Sequence, residues 1–371
     1  MRLLVINWQD LTNPLAGGAE VHLHEVFSRI ARLGHPVTLL CSRYEGAPAE
    51  EVIDGMRVVR RGNRSLFNYS VPGAYRELAR GGFDLVVEDL NKIPFFTPLF
   101  VREPIVGIGH HLFRRSIFHE TNPVVASYVY GTETAAIAYY ARKRIPFVVN
   151  SPSTLNDFLD RGFRREELTI AYLAVNHDLF RLTGVAKHPT PLIGCFGRLK
   201  RYKSVDILLR AIPEVQREVP DARVVIVGEG DDRPRLEAVA QELGLGGVVR
   251  FTGFISDAEK VELLQSMWFK VATSVKEGWG LTVTEANACG TPVIASNVPG
   301  LRDAVREGET GLLYPYGDVA TLAAKMIGLL KDHRRREDLS RNALAYARTF
   351  TWDRAAETTL NVFAKRIASR A

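Results

Sequence analysis

Apolar, strand-like runs alternate with amphipathic helical stretches along the whole 371-residue chain. This alternation is typical of α/β layers built on parallel sheets. In the first half it predicts strands near Leu3–Ile6, Pro36–Leu40, Arg57–Arg60, Leu85–Glu88, Ile105–Ile108 and Phe147–Asn150. In the second half it predicts strands at Leu192–Phe196, Arg223–Val227, Val249–Phe251, Phe269–Thr273 and Val293–Ala295. The sequence therefore predicts two doubly wound units in tandem.

A polar, proline-bearing break at residues 182–191 separates the two series of strands. We interpret it as a linker between a first domain over residues 1–181 and a second over residues 192–351. The final stretch, residues 352–371, has the pattern of an amphipathic helix that follows the second domain. A chain of this length can bury two sizeable cores.

The composition is that of an ordinary globular protein, with 46% apolar residues, 24% charged residues and a formal net charge of +6. The apolar start at Leu3–Ile6 is too short for a signal peptide, and no apolar run approaches the length of a transmembrane helix. Cys41, Cys195 and Cys289 are far apart and have no metal-ligand spacing. We therefore expect a cytoplasmic protein in a reducing compartment.

The positive charge is compatible with nucleic acid, anionic lipid or an anionic substrate. No helix-turn-helix, zinc-finger or RNA-binding aromatic motif accompanies it, so we expect no nucleic-acid partner. Aromatic and basic residues interleave in the segment 110–118, and a second basic cluster follows at 142–144. These segments predict that the protein makes peripheral contact with the inner face of the membrane. A loop that binds a soluble acceptor is an equally good interpretation.

Glu277 and Glu285 give the most specific indication of function. A buried strand is predicted before Glu277, and the helical stretch around Glu285 is predicted to stop at Gly290, placed as the residue after a helix end. The loop and first helical turn between the two glutamates comprise Gly278, Trp279, Gly280, Leu281 and Thr282. Free backbone N–H groups and the positive end of a helix dipole there suit an anion. A ligand with a phosphate centre and hydroxyl-rich ends, such as a nucleotide sugar, matches this arrangement.

Two basic residues, Arg198 and Lys203, follow the first strand of the second domain. Open α/β sheets bind ligands at this edge, where arginine grips phosphate bidentately and lysine acts as a mobile point charge. In the first domain, Gly17 and Gly18 precede an amphipathic helix and could cradle a phosphate through backbone N–H groups.

Histidines occur at two places in the first domain. His110 and His111 follow the strand Ile105–Ile108 at the ligand-binding kind of sheet edge. His22 and His24 are predicted to lie on the first helix, as surface residues or as residues behind the site.

These motifs resemble those of the family 4 glycosyltransferases, whose Glu-x7-Glu motif ends in a tail like the Gly-Thr-Pro-Val-Ile of residues 290–294. The resemblance implies the GT-B fold, with two Rossmann-like domains facing across a cleft and a C-terminal helix that crosses back to the first domain. It also implies a retaining reaction with a nucleotide diphosphate sugar.

The resemblance further implies a role for each motif. Glu277 would contact the donor sugar and Glu285 the ribose, while Arg198 and Lys203 would neutralise the diphosphate. The loop and helix start around Gly278, Gly280, Leu281 and Thr282 would bind the donor, and the Gly17–Gly18 loop would face its diphosphate. His110 matches the family's first-domain histidine and would contact the sugar, with His111 one residue away as the alternative.

We therefore expect a hexosyltransferase that moves mannose or glucose from a GDP or UDP carrier to a hydroxyl acceptor, soluble or lipid-linked, in glycan, glycolipid or small-glycoside synthesis. No Asp-x-Asp motif is present, so we expect no metal and no further cofactor. No obvious nucleophile emerges, so a front-face displacement assisted by the leaving phosphate is expected. The alternatives are a nucleotide-sugar epimerase and a non-catalytic nucleotide-sugar-binding protein on the same fold.

Overall fold

The computed structural model of the protein describes residues 1–90, 93–119 and 121–369. The chain divides into two compact units, one formed by Met1–Leu173 with Trp352–Ala371 and the other by Ala174–Thr351. Each is an α/β unit around a largely parallel sheet, as the sequence predicted. Among the described residues, no helix combines the length and apolar character needed to cross a bilayer.

The first unit begins with a strand and ends with the C-terminal helix. Its elements before residue 174 are β1 (Leu3–Ile6), α1 (Gly18–Arg32), β2 (Val37–Arg43), β3 (Glu50–Ile53), β4 (Met56–Asn63), α2 (Phe67–Leu78), β5 (Leu85–Leu90), β6 (Ile105–Gly109), α3 (Pro123–Arg142), β7 (Phe147–Val149), α4 (Pro152–Leu159) and β8 (Leu168–Ile170).

The first sheet has the strand order β3-β4-β2-β1-β5-β6-β7-β8. All neighbouring pairs are parallel except β3 and β4, which form an antiparallel pair. The chain moves outward from β1 in one direction and then returns to continue from β5 in the other. The strand order therefore reverses between β1 and β5, where doubly wound sheets form a ligand-binding crevice.

The second unit repeats this architecture on a smaller scale. Its elements, with the C-terminal helix added, are β9 (Leu192–Phe196), α5 (Val205–Glu218), β10 (Arg223–Val227), α6 (Arg233–Glu242), β11 (Val249–Gly253), α7 (Asp257–Ser266), β12 (Phe269–Ala272), α8 (Leu281–Ala288), β13 (Val293–Ser296), α9 (Leu301–Ala304), β14 (Gly311–Tyr314), α10 (Val319–Lys331), α11 (His333–Ala347) and α12 (Trp352–Ala368).

The second sheet is parallel throughout, with the order β11-β10-β9-β12-β13-β14. Its strand order reverses between β9 and β12, the neighbours at the centre of the sheet. Alternate residues of β12, Phe269 and Val271, join the apolar core that the side chains of α5 and α10 complete. The opposite face of β12 is packed by α8.

The segment 182–191, which the sequence predicts as a linker, falls within the second unit. The backbone N–H of Thr183 donates to Gln265 Oε1 at 2.8 Å, and the backbone N–H of His188 donates to the Ser266 carbonyl at 2.7 Å. Trp268 Nε1 donates to the carbonyl of His188 at 2.9 Å. The polar composition that suggested a free linker reflects donors and acceptors that α7 and the start of β12 satisfy.

The C-terminal helix α12 belongs to the first unit, although it follows the second in sequence. It packs along α1, where Phe363 stacks on Phe27 with ring centroids 6.1 Å apart. Asp353 forms an ion pair with Arg29 at 2.7 Å. The helix ends at Ala368, and the last two residues of its predicted range lie outside the described residues.

Candidate active site

The loops that follow β9 and β12 lie at the same edge of the second sheet, at the point where its strand order reverses. The loop after β9 contains Arg198 and a 3₁₀ turn, Arg201–Lys203. The loop after β12 contains Glu277 and leads into α8. Ligands of doubly wound sheets bind at such points. The topology therefore brings together two motifs that lie about eighty residues apart in the sequence.

Lys203 and Glu277 form an ion pair, with Lys203 Nζ 2.5 Å from Glu277 Oε1. The hydroxyl of Ser274 donates a hydrogen bond to the same carboxylate oxygen at 2.6 Å. The side chains of Lys203 and Glu277 are only 19% and 17% exposed. Burial opposes the charged form of Lys203, but the Glu277 carboxylate outweighs it and raises the pKa of Lys203 above its ordinary value. Lys203 is therefore a firmly protonated cation.

Arg198 differs from Lys203 because it is exposed and its guanidinium has no ion-pair partner among the described residues. The preceding Gly197 has a φ of 144°, a conformation that favours glycine. A Cβ on Gly228 would lie 2.0 Å from the Gly197 carbonyl oxygen, so two glycines let the loops pack backbone to backbone. Arg198 can thus meet an anion directly, whereas Lys203 must first loosen its contact with Glu277.

The N-terminus of α8 completes this edge. Gly280, with a φ of 92°, is its N-cap, and Gly290, with a φ of 69°, follows its end as predicted. The first N–H groups of a helix lack intrahelical acceptors, and those of Leu281 and Thr282 open α8. The side chain of Trp279 is 1% exposed and packs edge-on against Phe350 at 5.1 Å, which anchors the loop.

Glu277 also depends on a close backbone contact. A Cβ on Gly300, whose φ is 83°, would lie 2.2 Å from the Glu277 carbonyl oxygen. The backbone N–H of Glu277 donates to the Pro299 carbonyl at 3.1 Å. The N–H and the carbonyl of Glu277 are therefore both held by neighbouring backbone, which fixes the point from which its carboxylate extends.

Glu285 makes a separate ion pair, with Lys260 of α7. Lys260 Nζ lies 2.8 Å from Glu285 Oε2, and the two side chains are 22% and 15% exposed. Lys260 Nζ also lies 4.9 Å from the ring centroid of Phe180. Both glutamates of the motif are thus held by a lysine, but by different lysines on different elements.

A cavity with about 350 Å³ of empty space, including its opening to solvent, lies beside the Lys203–Glu277 pair. Its lining includes Arg198, Lys203, Ser274, Glu277 and Thr282, all from the second unit. Two cations, one carboxylate and a helix start therefore face one space.

In the first unit, Gly17 is the N-cap of α1 and has an extended φ of −143°. Its backbone N–H donates to Glu20 Oε2 at 2.7 Å. The predicted phosphate cradle therefore already has one N–H satisfied by the side chain of Glu20, and Gly18 begins the helix with N–H groups that remain at its open end.

His110 follows β6 and lies against an acidic residue that the sequence analysis missed. His110 Nε2 is 3.0 Å from Oδ1 of Asp89, a buried residue near the end of β5. Burial opposes protonation of His110, but the carboxylates of Asp89 and Glu20 outweigh it and raise the pKa of His110. His111 is only half-buried, and its ring packs on Phe113 at 4.4 Å. Asp89 could have been noticed as a carboxylate at the end of a strand.

His22 is buried behind His110. Its ring is 5.0 Å from that of His110, nearly perpendicular to it, and 6.0 Å from Trp352 of α12. Burial, reinforced by His110, holds the pKa of His22 well below its ordinary value. Helical spacing indicates this burial, because His22 lies four and eight residues before Val26 and Ile30, which are buried on the same face of α1.

Lys270, in the middle of β12, is another residue that the sequence analysis missed. It is fully buried, and its Nζ has no hydrogen-bond partner among the described residues. The described residues also contain no cluster of three or more His, Cys, Asp or Glu side chains placed to hold a metal ion.

Two sequence-family models match the chain in succession. The model described as Glycosyltransferase Family 4 matches residues 16–179, and the model described as Glycosyl transferases group 1 matches residues 182–345. Together they cover most of both units. The chain belongs to the family 4 glycosyltransferases. Every motif residue discussed above falls within the matched ranges: Gly17, Gly18 and His110 in the first, and Arg198, Lys203, Glu277 and Glu285 in the second.

Curated relatives of this family 4 chain are named D-inositol 3-phosphate glycosyltransferase. It is 38% identical to the one from Thermomonospora curvata over 176 residues, which is 45% of this chain and 41% of that protein. It is 28% identical to the one from Streptomyces bingchenggensis over 391 aligned residues, covering 94% of this chain and 85% of that protein. The first alignment thus spans less than half of the relative's length.

Solved structures share the fold. Sucrose-phosphate synthase from Thermosynechococcus elongatus has a TM-score of 0.84 at 21% identity, and both chains are fully covered. HepE from Anabaena, solved in complex with UDP-glucose, has a TM-score of 0.74 at 21% identity, again with full coverage of both chains. At such identities the likeness shows the fold, which is of the GT-B type.

Proposed function

We propose that this protein transfers a hexosyl group from a nucleoside diphosphate sugar to a hydroxyl acceptor, with retention of the anomeric configuration. One observation carries the proposal: Arg198, Lys203, Glu277 and the N-terminus of α8 converge on one cavity at the reversal point of the second sheet. A cation pair and a helix dipole suit a diphosphate, and an adjacent fixed carboxylate suits sugar hydroxyls.

The reaction breaks the bond between the sugar C1 and the diphosphate oxygen, and forms a bond from C1 to the acceptor oxygen. Negative charge grows on the leaving diphosphate, so groups that stabilise it lower the barrier. Arg198 and Lys203 supply two positive charges, and the opening N–H groups of α8 add donors. In the front-face displacement, the leaving phosphate oxygen takes the acceptor's proton.

Glu277 is proposed to hold the hydroxyls of the donor sugar. Its carboxylate is fixed by Ser274 and by backbone contacts at Pro299 and Gly300, so it can keep one orientation while the ring flattens toward an oxocarbenium-like state. Glu285 is proposed to accept a ribose hydroxyl. His110, paired with Asp89, is proposed to contact the sugar.

The donor base and the acceptor follow from the relatives only as proposals. UDP-glucose, which HepE binds, is the first donor to try, with GDP-mannose as the second. D-inositol 3-phosphate is the first soluble acceptor to try because the curated relatives carry it in their name. A lipid-linked hydroxyl is the alternative acceptor.

The epimerase alternative has less support. Epimerisation needs an acid and a base that share one sugar, and in the second unit the carboxylates of Glu277 and Glu285 are each held by a lysine. A non-catalytic binding protein would use the same contacts without turnover, so only a rate measurement separates it from a transferase.

The test begins with thermal shift of the wild-type protein with UDP-glucose, GDP-mannose and their free nucleotides, followed by product analysis with each acceptor. We expect one donor to stabilise the protein and to give an α-linked product. Arg198→Ala and Lys203→Ala should each slow transfer by roughly 100-fold, the scale of losing one preorganised anion contact. Arg217→Ala and Lys331→Ala, which remove exposed cations from the same unit, should not.

Two results would contradict the proposal. Donor binding without transfer or hydrolysis, across the acceptor panel, would favour the binding protein. Conversion of the donor into a second nucleotide sugar with the nucleotide still attached would favour the epimerase.

A further inference from the structure

Lys270 is an unusual residue for the centre of a parallel sheet. It pairs with Gly194 of β9 and with Val293 of β13, so strands cover both of its sides. It is fully buried, and its Nζ has no hydrogen-bond partner among the described residues. Strands buried on both faces are normally continuous apolar runs, and an unpaired ammonium there is costly. An apolar side chain at this position would stabilise the fold better.

The side chain of Lys270 belongs to the face that underlies the proposed donor site. Phe269 and Val271 point into the core beneath α5 and α10, and alternation along the strand directs Lys270 to the opposite face, which α8 packs. The titratable groups that act on its ammonium are Cys195 of β9, Lys203 of the 3₁₀ turn, Glu285 of α8 and Glu277 of the loop before α8.

These neighbours leave Lys270 poised between its charged and neutral forms. Burial lowers its pKa to about 8, and repulsion from Lys203 acts in the same direction, while Glu285 and Glu277 oppose the shift. Both glutamates are already partly neutralised by Lys203 and Lys260. An added negative charge at the cavity would therefore shift the balance of Lys270 toward the ammonium.

We propose that Lys270 is a positioning residue of the donor site that takes up a proton when the diphosphate binds, and so raises diphosphate affinity from beneath without touching the ligand. This inference rests on the proposed function, because it requires an anionic donor at that cavity. Linkage makes the effect reciprocal: a ligand that favours protonation of Lys270 binds more tightly when Lys270 is already protonated. The proton comes from solvent.

Calorimetry with UDP and with GDP tests the inference on the full-length protein. At pH 8, titrations in buffers of different ionisation enthalpy should show uptake of up to about half a proton per nucleotide bound. Lys270→Met removes the titrating group and keeps an unbranched side chain, so its proton uptake should vanish. Lys331→Met, at an exposed lysine of the same unit, should behave as wild type. The second phosphate ionisation, near pH 6, is complete under these conditions.

The pH dependence gives the second readout. At pH 7, Lys270→Met should bind the nucleotide about five- to tenfold more weakly than wild type, and the two should converge as the pH rises through 9. Lys270→Leu should repeat this result and serves if the methionine variant folds poorly. Equal proton uptake, or parallel affinity profiles for wild type and both variants, would overturn the inference and leave the proposed function standing. Failure of the wild type to bind either nucleotide would refute both.

Discussion

Replacement of Glu277 by glutamine should have opposite effects on nucleotide binding and on transfer. Lys203 Nζ lies 2.5 Å from the Glu277 carboxylate, so a diphosphate that binds Lys203 as proposed would compete with Glu277 for this lysine. Glu277→Gln removes the competing charge and keeps the shape, and its amide oxygen can still accept from Ser274. We therefore expect the variant to bind free UDP or GDP more tightly than wild type, and to transfer sugar more slowly because the fixed carboxylate is lost.

The burial of the pair sets the expected magnitude. An exposed ion pair contributes up to about 1 kcal/mol, and breaking a fully buried one costs about 3–5 kcal/mol. With side chains 19% and 17% exposed, the Lys203–Glu277 pair lies between these limits. If the diphosphate recovers about 1.4 kcal/mol of this interaction, nucleotide affinity rises about tenfold. The loss of a contact that strengthens in the transition state should lower turnover by about 100-fold.

Calorimetry at pH 7 and steady-state rates measure the two effects. Glu285→Gln is the matched control, because Glu285 pairs with Lys260 and not with Lys203. It should weaken nucleotide binding through the ribose and change turnover little, since that contact is the same in ground and transition states. Unchanged or weaker nucleotide binding by Glu277→Gln would refute the idea that Glu277 competes with the diphosphate for Lys203. Wild-type donor kinetics in both variants would show that neither glutamate contacts the donor.

Four further outcomes are expected. The pKa of Lys270 lies near 8, below its ordinary value of 10.5, so its burial destabilises the folded protein below pH 8 and this penalty is relieved between pH 8 and 10.5. Lys270→Met should accordingly raise the free energy of unfolding at pH 7 by about 3 kcal/mol, with the gain shrinking across that window in urea titrations. Asp89→Asn removes a carboxylate that raises the pKa of His110, so the NMR titration midpoint of His110 should move to lower pH. Transfer should survive EDTA; a loss that manganese or magnesium restores would contradict the metal-free mechanism. If the segment 110–118 meets a membrane, the protein should pellet with anionic but not neutral liposomes, and Arg115→Glu should weaken this; Arg114 is unsuitable because it pairs with Asp157.

The architecture was predictable because most of its strands are apolar runs that alternate with amphipathic helical stretches. All eleven predicted strands occur; β1, β9 and β10 have the predicted bounds, and the others differ at one or both ends by one to three residues. The strands that were missed, β3, β8 and β14, are edge strands whose burial is interrupted, whereas equally short central strands such as β1 and β13 are buried along their whole length and were predicted. The linker prediction rested on composition alone. The composition shows that residues 182–191 are polar. It does not show that Gln265, Ser266 and Trp268 form hydrogen bonds with the polar groups of this segment.

The sequence named the candidate site residues but could not give their pairings. Motif spacing indicated Arg198, Lys203, Glu277 and Glu285 as candidates, because the chemistry proposed for them depends on sheet edges and helix starts that a sequence pattern reveals. It could not assign Lys203 to Glu277, since the two are 74 positions apart and only the neighbouring of β9 and β12 joins them. Lys270 was invisible for a related reason: a lysine within an apolar run does not tell which face of the strand it occupies.

These ion pairs affect how ligand affinity arises at the candidate site of the second unit. Lys203 is held by Glu277 and Glu285 by Lys260, and Glu277 also accepts from Ser274, so ligand contacts to these groups replace existing interactions and do not simply add to them. The observed affinity is then a difference between two sets of contacts. A diphosphate that draws Lys203 away leaves the Glu277 carboxylate with unused acceptor capacity beside the sugar position. Under the proposed function, diphosphate binding and sugar orientation are therefore coupled through one ion pair, and a nucleotide without its sugar should leave that carboxylate unsatisfied. This predicts that the sugar contributes to donor affinity in wild type and loses most of that contribution in Glu277→Gln.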